Sequence, residues 1–233
     1  GAVCADGRAQ AALAVVHRRA PRLAAGQVAL PLAALTATPP GPPAAAAPTL
    51  VAQAAGLGYR GDPAALLHDL LGVLLPPLLA LLAAGVALEA HGQNLLVVLE
   101  AGRPVRVLYR DFGGVRVSPR RLTAAGFTPP PLAGDVVSDD PHVLRTKLAA
   151  ALGVVTGQLV AACGQAGADE TSCWATVSRQ LAAAAAGVPG AAADEAAWRD
   201  APVPVKATTA MRLATDPLAD QWARLPYGWE GPA

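Results

Sequence analysis

Polar side chains that could bind a metal or a phosphate crowd one short stretch of this chain, "EAHGQNLLVVLEAGRPVRVLYRDFGG", residues 89–114. It holds Glu89, His91, Gln93, Asn94 and Asp111 in a sequence otherwise dominated by Ala, Leu, Pro and Gly. Two carboxylates and two amides are hard oxygen ligands of the kind that suits Mg²⁺, which is commonly held by one or two carboxylates plus substrate phosphates. His91 can hydrogen-bond to a phosphate or, when protonated, pair with its charge. The plain alternative is a hairpin with polar ends, in which Glu89 and Asp111 are strand-end charges and His91 is a half-buried, satisfied histidine.

The positions of Gly and of β-branched residues predict strands at "VALEAH", "NLLVVLE", "PVRVLYRDF" and "VRVS". A two-residue turn at Ala101-Gly102 faces Glu100 with Arg103 and sets Asp111 opposite Gly92. A turn at Gly102-Arg103 sets Asp111 opposite Asn94 instead. Either register brings Asp111 beside "HGQN". On an extended strand Glu89, His91 and Gln93 share one face. Gly92 permits a bulge that turns Asn94 toward them.

The elements around this stretch read as helices. Residues 49–58 and 63–84 are predicted helical, with Asp62 as N-cap and Pro63 at the first helical position. Asp140-Pro141 starts a third helix, "HVLRTKLAAALGVVTGQLVAAC". "ETSCWATVSRQLAAAAAG" and "DEAAWRDA" follow, each acidic near its N-terminus as the helix dipole prefers. Residues 8–25 are expected to form a short helix with a basic face. "TPPGPPAAAAP" at 38–48 reads as an extended linker or surface loop. The fold class is α+β, with a central antiparallel sheet at about residues 86–118 flanked by helices. The expected division is a helical and linker segment at 1–60, left from a preceding domain, and an α+β domain at 61–233.

Composition narrows the function classes. The chain has 233 residues, is 53% hydrophobic and 15% charged, and carries 18 Lys+Arg against 17 Asp+Glu. A net charge of +1 gives no field to attract nucleic acid or an anionic membrane. Residues 70–88 form an uncharged run long enough for a membrane span. Pro76-Pro77 at its middle, the polar cluster after it and the lack of flanking basic anchors favour a buried soluble helix that restarts at the prolines. The three cysteines, Cys4, Cys163 and Cys173, form no CxxC pair and fit reduced cytosolic thiols. The opening residues do not form a signal peptide.

"ALEAHGQN…RDFGG" resembles the signature of the NRPS-independent siderophore synthetases, the aerobactin synthetase family. "VALPLAALTA", "SDDPHVLRTKLAAALGVVTGQLVAAC" and "VKATTAMRL" resemble further family segments in the same order. The resemblance implies the palm-like C-terminal half of a hand-shaped, cytoplasmic ligase. Such an enzyme uses ATP and Mg²⁺ to adenylate a carboxylate of citrate or a related acid. An amine, hydroxylamine or alcohol then attacks. By resemblance His91 is catalytic; His91, Gln93, Asn94 and Lys206 bind the nucleotide; Glu89, Asn94 and Asp111 hold the metal; and Arg212 matches a family position. Adenylation needs positioning and charge neutralisation at phosphorus more than a base, since the carboxylate is already ionised.

The departures from the pattern are specific. There is no "SxRT" and no "HP", the family's first-half ATP-binding elements have no counterpart, "GVVTGQ" replaces an Asn-rich helix motif, and "LPYGWEGPA" is an unusual ending. The expectation is half a site with little or no ligase activity alone, in a homodimer or paired with a missing N-terminal half. Two rivals remain. "HGQN…DFGG" echoes small-molecule kinases, but Gln93 stands where a catalytic base is needed. A non-catalytic binding or scaffold remnant is the other. An iron–sulfur centre of the ferric-siderophore reductase kind would need four thiolates, more than the chain contains.

Overall fold

Asp62 accepts hydrogen bonds from the backbone N–H groups of Ala64 and Ala65, and Pro63 occupies the first turn, so the central helix starts where the sequence places it. The computed structural model describes residues 2–3, 9–10, 19–39, 48–199, 202–216 and 221–225. Strands run at Ala2–Val3 (β1), Ala9–Gln10 (β2), Gln27–Pro31 (β3), Val86–Ala87 (β4), Leu95–Glu100 (β5), Arg103–Tyr109 (β6), Arg116–Val117 (β7), Val203–Lys206 (β8) and Trp222–Leu225 (β9). Helices run at Leu50–Gly58 (α1), Pro63–Ala83 (α2), Pro119–Ala124 (α3), Pro141–Gln165 (α4), Glu170–Gly187 (α5), Ala192–Arg199 (α6) and Thr208–Leu213 (α7).

The predicted α+β architecture is present, with small antiparallel sheets in place of one large one. Strands β3, β5 and β6 form a three-stranded sheet with β5 in the middle; β1 pairs with β2, β4 with β7, and β8 with β9. Strand β3 comes from the "VALPLAALTA" segment, and with α1 it packs into the same core as the later elements. Helix α2 is the axis of that core, against α1, α4, α5 and β6.

Four local expectations change. Helix α2 runs unbroken through Pro76 and Pro77 rather than restarting there. Leu66, Leu67, Leu70, Leu71, Leu74, Leu75, Leu78, Leu79 and Leu82 are all buried along it. At roughly 1.5–3 kcal/mol for each buried leucine, that burial outweighs about 3 kcal/mol for each interior proline. The expected helix at 8–25 is not formed where it can be seen. Ala9–Gln10 is strand and Arg19–Leu23 has no regular structure, while 11–18 lie outside the described residues. Of the Pro-rich run, residues 40–47 lie outside them too, as do Cys4 and the "PYGWEGPA" ending.

The third change is the strand "VALEAH": only Val86–Ala87 pairs, and 88–94 is a turned loop. The fourth is the hairpin register. The turn is at Ala101-Gly102 as expected, with positive φ at both residues, and Glu100 faces Arg103. Gly102 is required here because a Cβ would lie 2.5 Å from the Ala54 carbonyl oxygen. A bulge then inserts Val105, so Val98 pairs with Arg106 and Leu95 with Tyr109. Arg110 N–H reaches the Asn94 carbonyl, so the pairing falls between the two registers considered.

Helices α2 and α4 are each long and apolar enough to cross a membrane, but half of α2's most apolar stretch and two thirds of α4's are buried inside the protein.

Candidate functional site

Asp140 caps α4 through the His142 N–H, and Pro141 takes its first turn. From there Val143, Thr146, Lys147, Ala150, Ala151 and Val154 recur at helical spacing and form one face, against which β8 packs. A buried ion cluster anchors this end of the helix. Arg121 makes a two-pronged contact with Asp194, at 2.7 and 3.0 Å, and also donates to the Leu82 carbonyl. Arg145 Nε donates to the same carboxylate at 2.6 Å. Asp194 is fully buried, and its hydrogen bond holds the Arg121 guanidinium even further above its ordinary pKa. Beside it Ser118 and the Arg120 N–H both donate to Asp139, which lowers that carboxyl's pKa. Strand β7, α3, α6 and the start of α4 are thus locked together.

The loop 88–94 delivers its residues to the same face. Leu88 and Ala90 are buried, so the alternate residues Glu89 and His91 face outward. The turn is tied internally: His91 N–H donates to the Glu89 carbonyl, and Asn94 and Leu95 N–H both donate to the His91 carbonyl. The Glu89 carbonyl also accepts from the Asn94 side-chain amide (3.3 Å) and the Tyr109 hydroxyl (3.4 Å). Burial pushes the Tyr109 phenol up to about 12. Gly114 lies directly under the Glu89 side chain: a Cβ there would fall 2.0 Å from Oε2.

A pocket of about 350 Å³ opens between this loop, α4 and the β8–β9 hairpin. Glu89, His91, Lys147, Lys206 and Trp222 line it. Lys147 Nζ donates to Glu89 Oε1 at 3.1 Å, and His91 Nε2 lies 3.7 Å from the same oxygen. Lys206 Nζ stands 5.9 Å from the Trp222 ring centroid, within reach of a cation–π contact. A second pocket of similar volume continues along α4, lined by Arg116, His142, Thr146, Lys147, Trp222 and Arg224 among others. Lys147 and Trp222 stand between the two. The result is a groove bordered by several cations with one carboxylate at one end. It is suited to hold an anion several charges long.

Of the residues singled out from the sequence, Glu89, His91 and Lys206 meet here. Asn94 is buried, with its amide committed to the Glu89 carbonyl. Gln93 is exposed, and its carbonyl accepts from Arg110 Nε. Asp111 is exposed at positive φ and accepts from the Gly113 N–H in a tight local turn. Arg212 is exposed on α7 and does not line the pocket. Among the described residues no group of three or more His, Cys, Asp and Glu side chains could hold a metal. Lys147 was missed. Its signal was there: a lysine in register with Leu144 and Ala151 on an apolar helix face, where a cation needs a partner. Cys163 and Cys173 are both buried and in no disulfide, and burial pushes the Cys163 thiol up to about 12.

Residues 64–219 match the family described as ferric iron reductase FhuF-like transporter. No curated protein matches the chain. Among solved structures it is similar to the petrobactin biosynthesis protein AsbB from Bacillus anthracis str. Sterne, with TM-score 0.69 and 21% identity over 88% of this chain and 36% of that one. It is also similar to the aerobactin synthetase IucA from a hypervirulent pathotype of Klebsiella pneumoniae, with TM-score 0.64 and 24% identity over 85% of this chain and 37% of that one. The ATP-bound form of IucA gives TM-score 0.61 and 23% identity, over 85% and 36%. At these identities the likeness is one of fold, and the chain spans little more than a third of the length of each.

Proposed function

The chain belongs to the FhuF-like family and carries the fold of the C-terminal region of siderophore synthetases, and from that premise we propose that it serves siderophore biosynthesis as one wall of an ATP-dependent carboxylate-activating site. The observation that carries this reading is the convergence of Glu89, His91, Lys147 and Lys206 on one pocket from three separate parts of the chain.

In that reaction a carboxylate oxygen attacks the α-phosphorus of ATP and pyrophosphate leaves. An amine, hydroxylamine or alcohol then attacks the acyl carbon, loses its proton, and AMP leaves. The chain's part is electrostatic. Lys147 and Lys206 offset phosphate charge, and His91 donates to a phosphoryl oxygen. Trp222 supplies a flat wall for a base or an apolar stem. Mg²⁺, when bound, would neutralise the phosphates. Glu89 is the carboxylate in position to share it with them, an arrangement Mg²⁺ tolerates because it keeps few protein ligands. Asn94 and Asp111 would have to give up their present hydrogen bonds to join it. In this reading Asn94 and Tyr109 act on the metal side only by holding the Glu89 backbone.

Calorimetric titration of the purified chain with Mg-ATP tests the reading. Wild type should bind, and His91→Ala and Lys147→Met should each weaken binding about tenfold or more, as expected for hydrogen bonds to charged groups. Unchanged affinity in both variants would remove the nucleotide from this pocket. Citrate-dependent release of pyrophosphate with AMP, measured with the chain alone and with a separately supplied N-terminal half, identifies the reaction. Formation of ADP and a phosphorylated acid would point to a kinase instead.

A further inference from the structure

We propose that the open edge of strand β3, with the apolar groove beside it, is a self-association surface: β3 of a second copy of this chain adds to it antiparallel, across a two-fold axis, and makes one six-stranded sheet. The surface shares no residue with the Glu89 pocket, so it stands whether or not a nucleotide binds there.

The main chain of β3 is the first ground. Among the described residues β3 pairs only with β5, which leaves its other side as a sheet edge. In an antiparallel ladder alternate residues point their N–H and C=O groups to opposite sides. Pro31 has no N–H to give, and the Gln27 N–H donates to the Ala24 carbonyl, so Val28 and Leu30 are the residues that bond to β5. Ala29 therefore directs its N–H and C=O outward. A second β3 laid with its Ala29 opposite this one exchanges both of those bonds.

The contrast between the two edges is the second ground. The β6 edge carries Arg103, Pro104, Arg106 and the Val105 bulge, the features that keep an edge unpaired. No charge occurs from Gly26 to Thr36, so nothing on β3 repels a copy. Pro31 is the one edge-breaking residue of β3, and it confines the pairing to a short centre.

The groove is the third. It has a volume of about 290 Å³, opens between β3 and α1, and is lined by Val28, Leu30, Leu35, Leu50, Leu57 and Leu99 among others. No charged side chain lines it among the described residues. Val28 is 52% exposed and Leu57 76%, both unusual for side chains of that size beside a core. With Ala29 on the axis, Leu30 of the second copy falls opposite Val28, on the face where the groove opens, and the same apolar pair forms again on the other side of the axis. The joined sheet ends on β6 at both outer sides, so the pairing closes at two copies.

The test is sedimentation velocity of the full 233-residue chain over a roughly hundredfold range of concentration, beside hydrogen exchange at the Ala29 amide. Wild type should pass from monomer to dimer, and the Ala29 amide should exchange more slowly as dimer accumulates. Ala29→Pro removes the outward N–H and no bond inside the sheet, and should weaken the dimer about tenfold or more. Val28→Lys sets a charge against Leu30 of the second copy and should weaken it at least as much, without a proline. Val105→Lys, on the other edge, should leave the dimer unchanged. Circular dichroism confirms that each variant is folded. A chain that stays monomeric at every concentration overturns the proposal. So does a dimer that persists in both β3 variants, or one that Val105→Lys dissolves and Val28→Lys spares. A monomer whose Ala29 amide already exchanges slowly means that another part of the same chain covers the edge, and overturns it as well.

Discussion

Gly114→Ala is the smallest change that should disturb the Glu89–Lys147 pair without touching either residue. The new Cβ would lie 2.0 Å from Glu89 Oε2, 2.6 Å from Cδ and 2.9 Å from Cβ. The first two overlaps could be relieved by swinging the carboxylate aside. The third involves the root of the side chain, so the loop or the Gly114 backbone must move as well. The carboxylate leaves Lys147, which is 8% exposed and has its ammonium 3.1 Å from Glu89 Oε1. A hydrogen bond to a charged group contributes about 1.5–3 kcal/mol. For a domain of this size each kcal/mol moves the melting temperature by about 2–4 °C, so a loss of about 3–12 °C is expected. Mg-ATP affinity should fall in parallel. Gly113→Ala is the control: its Cβ meets only the exposed Asp111 carboxylate, at 3.3 Å, and should shift the melting temperature by less than about 2 °C. Thermal unfolding by circular dichroism and calorimetric Mg-ATP titration read both variants. A Gly114→Ala protein that melts and binds like wild type would refute the claim that the Glu89 carboxylate must sit where it does.

Removing the buried anchor should cost more. Asp194→Ala leaves Arg121 and Arg145 facing each other without their shared carboxylate, and should destabilise by about 3 kcal/mol or more in urea unfolding. Asp194→Asn should recover part of the loss. Stability should also fall at high pH. Burial holds the Cys163 thiol and the Tyr109 phenol at about 12 in the folded protein. The unfolded chain ionises both earlier, from about pH 8.5 for the thiol and about 10 for the phenol. Their contribution is complete below those values and is lost as pH rises toward 12. Urea midpoints measured between pH 8 and pH 11 should decline, and Cys163→Ala should flatten the first part of the decline. At the acid end, the hydrogen bond from Tyr59 holds the Asp69 carboxyl below its ordinary range. Its contribution is present at neutral pH and disappears as pH falls through the carboxylate range, so Tyr59→Phe should be less acid-sensitive than wild type. Thiol reagents at pH 8 should leave Cys163 and Cys173 unmodified until the protein is unfolded, because both are buried.

Much of the frame was legible because it rests on local rules. Asp62-Pro63, Asp140-Pro141 and the acidic start at Glu170 mark helix starts through capping and dipole chemistry, which act within one turn. The Ala101-Gly102 turn was legible for the same reason. Where reading failed, a distant neighbour had the deciding vote. Pro76-Pro77 did not break α2 because leucines from all around the core pack on it. The strand predicted at Val86–His91 ends after two residues because Asn94, Tyr109 and the loop's own N–H groups satisfy the backbone that a neighbouring strand would otherwise have bonded. Val105 slipped into a bulge that alternation alone does not reveal.

The site divides in the same way. The stretch "EAHGQN" and its residue types were sufficient to mark Glu89 and His91, since two-residue alternation survives even in the turned loop. Lys206 came from resemblance. That the Asp111 carboxylate accepts from the Gly113 N–H was decided by the bulge and by its left-handed backbone. The partner that Glu89 takes is Lys147, 58 residues further on. Sequence alone therefore determined which groups are present and which helices carry them, because propensity and capping are short-range. Which of those groups share a pocket was decided by the 88–94 loop, α4 and the β8–β9 hairpin packing together, because burial and ion pairing join residues by distance in space and take no account of distance along the chain.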